Sequence, residues 1–175
     1  MSVKNWDLYF LKLAKEVSSN SKCLSRKIGA ILVKEKAIIS TGYNGPARGM
    51  KHCGERDIGF YESIEVESNG RGTTADKIDS CPRRLFQYES GEGLYLCQAG
   101  HAERNALIQA ARNGISTLGT TLYCACPIPC KDCMIEIINA GVSRLVYLKG
   151  KNYDDYSKIL LEESDITSIA YEKII

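Results

Sequence analysis

The chain has 175 residues, of which 44% are hydrophobic and 25% are charged, a size and composition typical of a single globular domain. Its 23 basic and 21 acidic side chains leave a formal charge of +2, far below the basic excess of proteins that bind duplex nucleic acid. The longest apolar runs, such as IGAILV, are strand-sized and shorter than the roughly 20 residues that cross a bilayer. We therefore expect neither a membrane protein nor a duplex-binding protein.

The N-terminal segment predicts an amphipathic helix from about residue 3 to residue 18. Trp6, Phe10 and Ala14 follow helical spacing, and charged residues such as Asp7 and Lys12 lie among them. A secretory signal lacks such charges in its apolar part, so the segment indicates a cytoplasmic chain.

A β-hairpin is predicted next, over KIGAILVKEKAIISTGYNG, because two β-rich runs flank the charged stretch Lys34, Glu35 and Lys36. Residues 46–97 then show little periodicity and contain two prolines and seven glycines, so we interpret them as an irregular insertion. Three cysteines and a histidine in this insertion provide ligands that could order it.

Regular structure resumes after His101. Helices are predicted over AERNALIQAARNG, KDCMIEIINAG and DDYSKILLEES, alternating with strands over TTLYCAC, SRLVYLK and ITSIAYEKI. Strands that alternate with helices of this length indicate βαβ crossovers. We expect a three-layer α/β/α fold with a mixed, mostly parallel five-stranded sheet, and a single domain over residues 1–175.

Eight cysteines are many for a chain without an export signal, and metal binding explains them better than disulfides do. The segments His101-Ala102-Glu103 and Pro129-Cys130-Lys131-Asp132-Cys133 open two successive predicted helices. Together they form the H-x-E…P-C-x-x-C signature of zinc-dependent deaminases. His101, Cys130 and Cys133 would bind zinc and leave a fourth position open for water, as a catalytic site requires.

Glu103 distinguishes this interpretation from its alternatives. A lone CxxC is common in redox sites and structural zinc sites, and a non-catalytic zinc-stabilised binding module is the rival from another class. A structural site needs no carboxylate beside an open coordination position. On an ideal helix Glu103 points about 200° away from His101, so both face one ion only if the motif occupies the very end of the helix.

Three segments carry a family resemblance: HAERNALIQAARNG, TTLYCACPIPCKDC and TGYNG. They resemble the cytidine and deoxycytidylate deaminase family, most closely its bacterial and phage dCMP deaminases. The resemblance implies a cytidine-deaminase-like fold and hydrolytic conversion of dCMP to dUMP and ammonia, which supplies dUMP for dTMP synthesis. It also implies a homo-oligomer, with a hexamer favoured, and regulation by dCTP or dTTP with Mg²⁺.

The resemblance assigns roles to residues. His101, Cys130 and Cys133 match the zinc ligands, and Glu103 matches the proton shuttle. The expected substrate-binding residues are Asn44, Ala102, Arg112 and Tyr153, and the expected allosteric nucleotide residues are Gly42, Tyr43 and Gly45. Asn44 is alternatively an ordinary turn residue before glycine. Arg112 lies three helical turns beyond His101, about 16 Å along the axis, and alternatively complements the helix dipole or lies at a subunit interface.

A second zinc site is predicted by the same resemblance. Cys23, Cys53 and Cys97 match positions that bind a second zinc in some members, with Cys81 as fourth ligand and His52 as its competitor. The alternative is that these are free buried cysteines. Cys124 and Cys126 lie on one face of a predicted strand, and we expect them to pack in the core.

The substrate has alternatives within the enzyme class. The zinc motif is shared with deaminases of modified dCMP, cytidine and tRNA adenosine. A tRNA-acting enzyme would need a basic face, of which a net charge of +2 gives little sign.

Overall fold

The computed structural model describes residues 5–68, 71–89 and 91–174. Residues 66–68 are described in their backbone only. The chain divides into two compact units, the first comprising Met1–Ser21, Ile28–Asn44 and His101–Ile175, the second Lys22–Lys27 and Gly45–Gly100. The predicted helix start at about residue 3 lies outside the described residues.

The helices and strands of the described residues are, in chain order, α1 (Trp6–Val17), β1 (Gly29–Lys34), β2 (Ala37–Tyr43), α2 (Ile58–Ser68), α3 (Pro82–Leu85), α4 (Ala102–Arg112), β3 (Thr121–Cys124), α5 (Lys131–Asn139), β4 (Arg144–Leu148), α6 (Tyr156–Glu163) and β5 (Thr167–Tyr171). Short 3₁₀ turns lie at Ser18–Asn20, Cys53–Glu55 and Leu94–Leu96. Every helix and strand that the sequence predicts outside the insertion is present.

The first unit is built on one sheet, with the described strands in the order β2-β1-β3-β4-β5. Strand β1 is antiparallel to both β2 and β3, whereas β3, β4 and β5 pair in parallel. The predicted mixed sheet is confirmed. Four strands point the same way, but two of the four pairings are antiparallel, because the hairpin places the reversed strand β1 inside the sheet rather than at its edge.

Alternation along β1 gives the sheet two buried faces. Ala30 and Leu32 pack in a core with α4 and α5, whereas Ile31 and Val33 pack in a second core with α1. Successive side chains of a strand point to opposite faces, so one apolar strand supplies both cores. The predicted α/β/α layering is confirmed.

Local signals fix the ends of the elements. The hairpin turns at Glu35 and Lys36, whose φ values of 50° and 65° are those of a type I′ turn that matches strand twist. The side chain of Asn5 accepts a hydrogen bond from Leu8 N–H and caps α1. Gly114 and Gly141, at φ 66° and 71°, follow the ends of α4 and α5 as predicted.

The second unit is more regular than the sequence suggests. It contains the 11-residue helix α2 where no helix is predicted. Tyr61 of this helix packs with Phe86 and Leu96 in a small core of its own. Apolar residues of α2 lie at no clear helical spacing, so periodicity does not reveal the helix.

No helix in the described part of the chain has both the length and the apolar character to span a membrane.

Candidate active site

His101 lies just outside a helix rather than within it. It is the N-cap of α4, with φ −72° and ψ 154°, and the helix begins at Ala102. The extended backbone at His101 changes the direction of its side chain relative to the helical residue Glu103. The expectation that the motif occupies the very end of the helix is confirmed, and Ala102 between the two residues is fully buried.

Two thiols meet the imidazole of His101. Cys130 is the N-cap of α5 and Cys133 lies in its first turn. The Nδ1 atom of His101 is 3.3 Å from Sγ of Cys130 and 3.3 Å from Sγ of Cys133. All three ligand atoms lie within 4.8 Å of one another, so a single ion can contact them together.

The electrostatics of the cluster favour a thiolate. Contact with the Cys133 thiol, together with the interaction with His101, lowers the pKa of Cys130. The same contact raises the pKa of Cys133, and burial raises it further. The interaction with Cys130 raises the pKa of His101. These shifts favour the thiolate form of Cys130 at the start of α5, the form that binds a soft divalent cation.

Glu103 is a buried carboxyl group beside this cluster. The residue is 4% exposed, and burial raises its pKa above the ordinary value. A carboxyl group shifted in this direction can both accept and release a proton closer to neutral pH, as a general acid and base must. Sγ of Cys126 lies 3.7 Å from Oε1 of Glu103.

An ion pair and a set of carboxylate hydrogen bonds, neither predicted from the sequence, support the helices of the site. Arg104 of α4 forms a two-pronged ion pair with Glu136 of α5, with Nε–Oε2 2.9 Å and Nη2–Oε1 2.6 Å. Asp154 accepts hydrogen bonds from Lys131 N–H, at the start of α5, and from Ser157 N–H, in α6. The spacing Asp154-x-x-Ser157 is a capping signal, but its second partner is distant in sequence.

Tyr153 and Asn44 occupy defined positions in the first unit. The ring of Tyr153 stands edge-on to the imidazole of His101, with 6.4 Å between centroids. Asn44 is buried, and its Oδ1 accepts a hydrogen bond of 2.9 Å from Ile28 N–H. Asn44 thus connects the end of β2 to the residue before β1. An ordinary turn residue would not need to make this contact. The substrate role of each residue stays a prediction.

Arg112 is not brought to the His101 cluster. It is exposed at the last residue of α4, eleven residues and about 16 Å beyond His101 in a regular helix. Its position in the last turn suits a cation that complements the helix dipole.

Gly42 faces protein rather than an open loop. A Cβ atom at Gly42 would lie 2.1 Å from the carbonyl oxygen of Ala102 and 2.4 Å from the amide nitrogen of Ala106. The glycine therefore allows β2 to approach the backbone of α4. Neighbouring Tyr43 is exposed, and its carbonyl accepts a hydrogen bond from Asn105. Gly45, in the second unit, pairs with Gly100 in an isolated bridge.

The predicted second zinc ligands line one pocket of the second unit. Cys23, Cys53, Cys81, Cys97 and His52 all border a cavity of about 30 Å³. Among the described residues, their ligand atoms do not form a group of three within 4.8 Å. Burial raises the pKa of Cys53, and Gln98 Nε2 lies 3.7 Å from its sulfur.

A family model matches most of the chain. The model of the cytidine and deoxycytidylate deaminase zinc-binding region covers residues 4–149, which include the histidine and the cysteines described above. The chain belongs to the cytidine and deoxycytidylate deaminase family.

Individual relatives of this chain support the same family. It is similar to deoxycytidylate deaminases of phage T4, at 35% identity over 159 residues, and of Mycobacterium phage D29, at 33% over 154 residues. These alignments cover 86% and 85% of this chain and 82% and 98% of the phage proteins. The Saccharomyces cerevisiae deoxycytidylate deaminase is 34% identical over 93% of this chain, which spans only 44% of that protein.

Solved structures confirm the fold. The dCMP deaminase of cyanophage S-TIM5, in complex with dCMP and dUMP, superposes with a TM-score of 0.66 at 23% identity and covers 97% of this chain and 99% of its own. The cytidine-deaminase-like fold expected from the sequence is therefore confirmed.

Proposed function

We propose that this protein is a zinc-dependent hydrolase that converts dCMP and water to dUMP and ammonia. One observation carries the proposal: the cluster of His101, Cys130 and Cys133 lies beside the buried carboxyl group of Glu103, which interacts with His101 and Cys130. A structural metal site does not require such a carboxyl group. The names of the phage and yeast relatives support dCMP as the substrate.

The residues of the cluster fit a zinc ion. Two thiols and one imidazole are ligands that zinc prefers, and three protein ligands leave a position for water. The family model for a zinc-binding region supports the same metal. Bound zinc supplies Lewis acidity that brings the ionisation of a water molecule toward neutral pH.

Glu103 performs the proton transfers in this proposal. Its carboxylate takes a proton from the attacking water and delivers it to N3 of the pyrimidine as oxygen adds to C4. It then takes the remaining proton from the oxygen on C4 and passes it to the 4-amino group, which leaves as ammonia while the C4 carbonyl forms. One carboxyl group thus performs the proton transfers to N3 and to the 4-amino group. Burial keeps bulk water away from this carboxyl group.

Residues around the cluster hold the substrate. Tyr153, beside His101, offers an aromatic edge to the pyrimidine, and the backbone at Ala102 offers polar groups to its exocyclic atoms. Asn44 is assigned to the nucleotide through the family resemblance. Arg112 would contact the substrate phosphate from a neighbouring copy of the chain, because its distance from His101 disfavours contact within one copy.

A structural zinc in the second unit is part of the proposal. Four cysteines and His52 around one cavity support it, as does the hydroxyl group of Tyr61, which is buried beside the Cys53 thiol. Within the described residues this hydroxyl forms no hydrogen bond of ordinary geometry. A metal-bound thiolate would give it an acceptor. Binding requires the sulfurs to draw closer together.

Assembly and regulation complete the proposal. We propose a homo-oligomer, with a hexamer as the expected form, and control by dCTP or dTTP with Mg²⁺ through Gly42, Tyr43 and Gly45. The family resemblance supports both features. The allosteric role of Gly42, which packs against α4, stays a prediction.

A nucleotide panel tests the proposed substrate. The purified zinc-loaded protein is assayed with dCMP, CMP, deoxycytidine, dCTP and 5-substituted dCMP, by loss of cytosine absorbance and release of ammonia. We expect dCMP to give the highest kcat/KM. A preference for deoxycytidine, or for a 5-substituted dCMP, would reassign the substrate within the family. Zinc binding without turnover of any member would point to the non-catalytic module.

A further inference from the structure

A buried thiol contacts the carboxyl group of Glu103. Cys126 is 8% exposed, and its Sγ lies 3.7 Å from Oε1 of Glu103. A carboxylate can only accept, so the S–H group of Cys126 donates this hydrogen bond. We propose that Cys126 is a positioning residue that orients the Glu103 carboxylate for proton transfer. This inference rests on the proposed function of Glu103.

The backbone around Cys126 is held on both sides by strands of the sheet. Its carbonyl accepts a hydrogen bond of 2.9 Å from Leu148 N–H, at the end of β4. The preceding residue, Ala125, donates to the carbonyl of Gly29 at 3.0 Å, at the start of β1. The thiol therefore projects from a fixed frame, as a positioning group must.

The carboxyl group of Glu103 is buried, so its orientation depends on neighbouring protein groups rather than on bulk water. Cys126 belongs to the core cluster that also contains Ala102, Ala106, Ile128 and Met134. A long glutamate side chain has several rotamers, and apolar neighbours restrict its volume without choosing the direction of its oxygens. The thiol holds Oε1, so the direction of Oε2 follows from the planarity of the carboxylate.

Cys124 provides the matched comparison. It is a fully buried thiol at the end of β3 in the same core cluster, and it interacts with the thiol of Cys126. Removing it deletes a similar volume from the core without removing the donor to Oε1. If Cys124 and Cys126 only filled space in the core, substitution of either by alanine would have the same effect on turnover.

Kinetics of Cys126→Ala, Cys126→Ser and Cys124→Ala test the role. We expect Cys126→Ala to lower kcat about 10-fold, with KM within about twofold of wild type and zinc content unchanged. Serine restores a donor but buries a hydroxyl group, so Cys126→Ser should be more active than Cys126→Ala without being more stable to heat. Cys124→Ala should keep the wild-type kcat. A wild-type kcat in Cys126→Ala, loss of zinc from it, or kcat that follows thermal stability across the variants would overturn the inference.

Infrared spectroscopy detects the bond without turnover. The S–H stretch lies in a region clear of other protein bands, and Cys126→Ala identifies the band of Cys126. A thiol that donates to a carboxylate absorbs at lower frequency, so Glu103→Gln should shift this band upward. A band that does not respond to Glu103→Gln would overturn the inference. If the wild-type protein deaminates no nucleotide, the proposed function fails, and this measurement still decides whether Cys126 holds the carboxyl group.

Discussion

Asp7 and Arg144 form a two-pronged ion pair between α1 and the first residue of β4. The guanidinium donates to both carboxylate oxygens, with Nη1–Oδ1 2.8 Å and Nη2–Oδ2 2.7 Å. The hydroxyl groups of Tyr123 and Tyr171 donate to the same carboxylate. The carboxylate of Asp7 therefore connects the N-terminal helix α1 to the strands β3, β4 and β5.

This ion pair makes stability depend on pH. Hydrogen bonds from Arg144 hold the pKa of Asp7 below its ordinary value. A depressed carboxyl pKa contributes stability above the unfolded value of about 4 that is lost as pH falls through the folded value. We expect Asp7→Asn to lower the free energy of unfolding by about 1–3 kcal/mol at pH 7, and less in acid.

Denaturant unfolding from pH 7 to pH 3 measures this effect, with Asp165→Asn as control. Asp165 is exposed, so its substitution should change the free energy of unfolding by less than about 0.5 kcal/mol. An Asp7→Asn deficit that stays constant down to pH 3 would rule out the ionised pair as its cause.

Gly42→Ala tests the close packing of β2 on α4. The new methyl group would overlap backbone atoms of Ala102 and Ala106, which cannot rotate away. We expect Gly42→Ala to lower the free energy of unfolding by about 3 kcal/mol or more. The variant should therefore show a lower Tm in the absence of any nucleotide. Gly72→Ala is the control, since its Cβ meets no atom within 4 Å. An unchanged Tm with weakened nucleotide binding would instead support a role of Gly42 in the allosteric site.

The second zinc is tested by metal stoichiometry. We expect two zinc ions per chain in the wild type and one in Cys97→Ser, because a closed site that loses a ligand loses affinity. Cys97 is exposed, so serine there should be nearly neutral without metal. A fall in Tm that disappears after chelation therefore reports the metal. Cys124→Ala should retain both ions, and one zinc per wild-type chain would refute the second site.

Local patterns were enough to predict most of the first unit. Gly114 and Gly141 mark helix ends, the hairpin charges mark its turn, and the paired motifs predict which three ligands converge. Contacts between distant segments were not predictable. The sequence around Gly42 does not indicate that α4 packs against it. The sequence around Cys126 does not indicate that its thiol contacts Glu103. Helix α2 was missed because its apolar residues follow no helical period.

The carboxyl group of Glu103 separates an enzyme from a metal-stabilised scaffold. The most direct measurement compares wild type with Glu103→Gln, both loaded with zinc and shown by elemental analysis to bind it equally. We expect wild type to convert dCMP to equal amounts of dUMP and ammonia, and Glu103→Gln to be slower by at least about 10²- to 10⁴-fold. Near-equal rates in the two proteins, or no dUMP from the zinc-loaded wild type, would contradict the account.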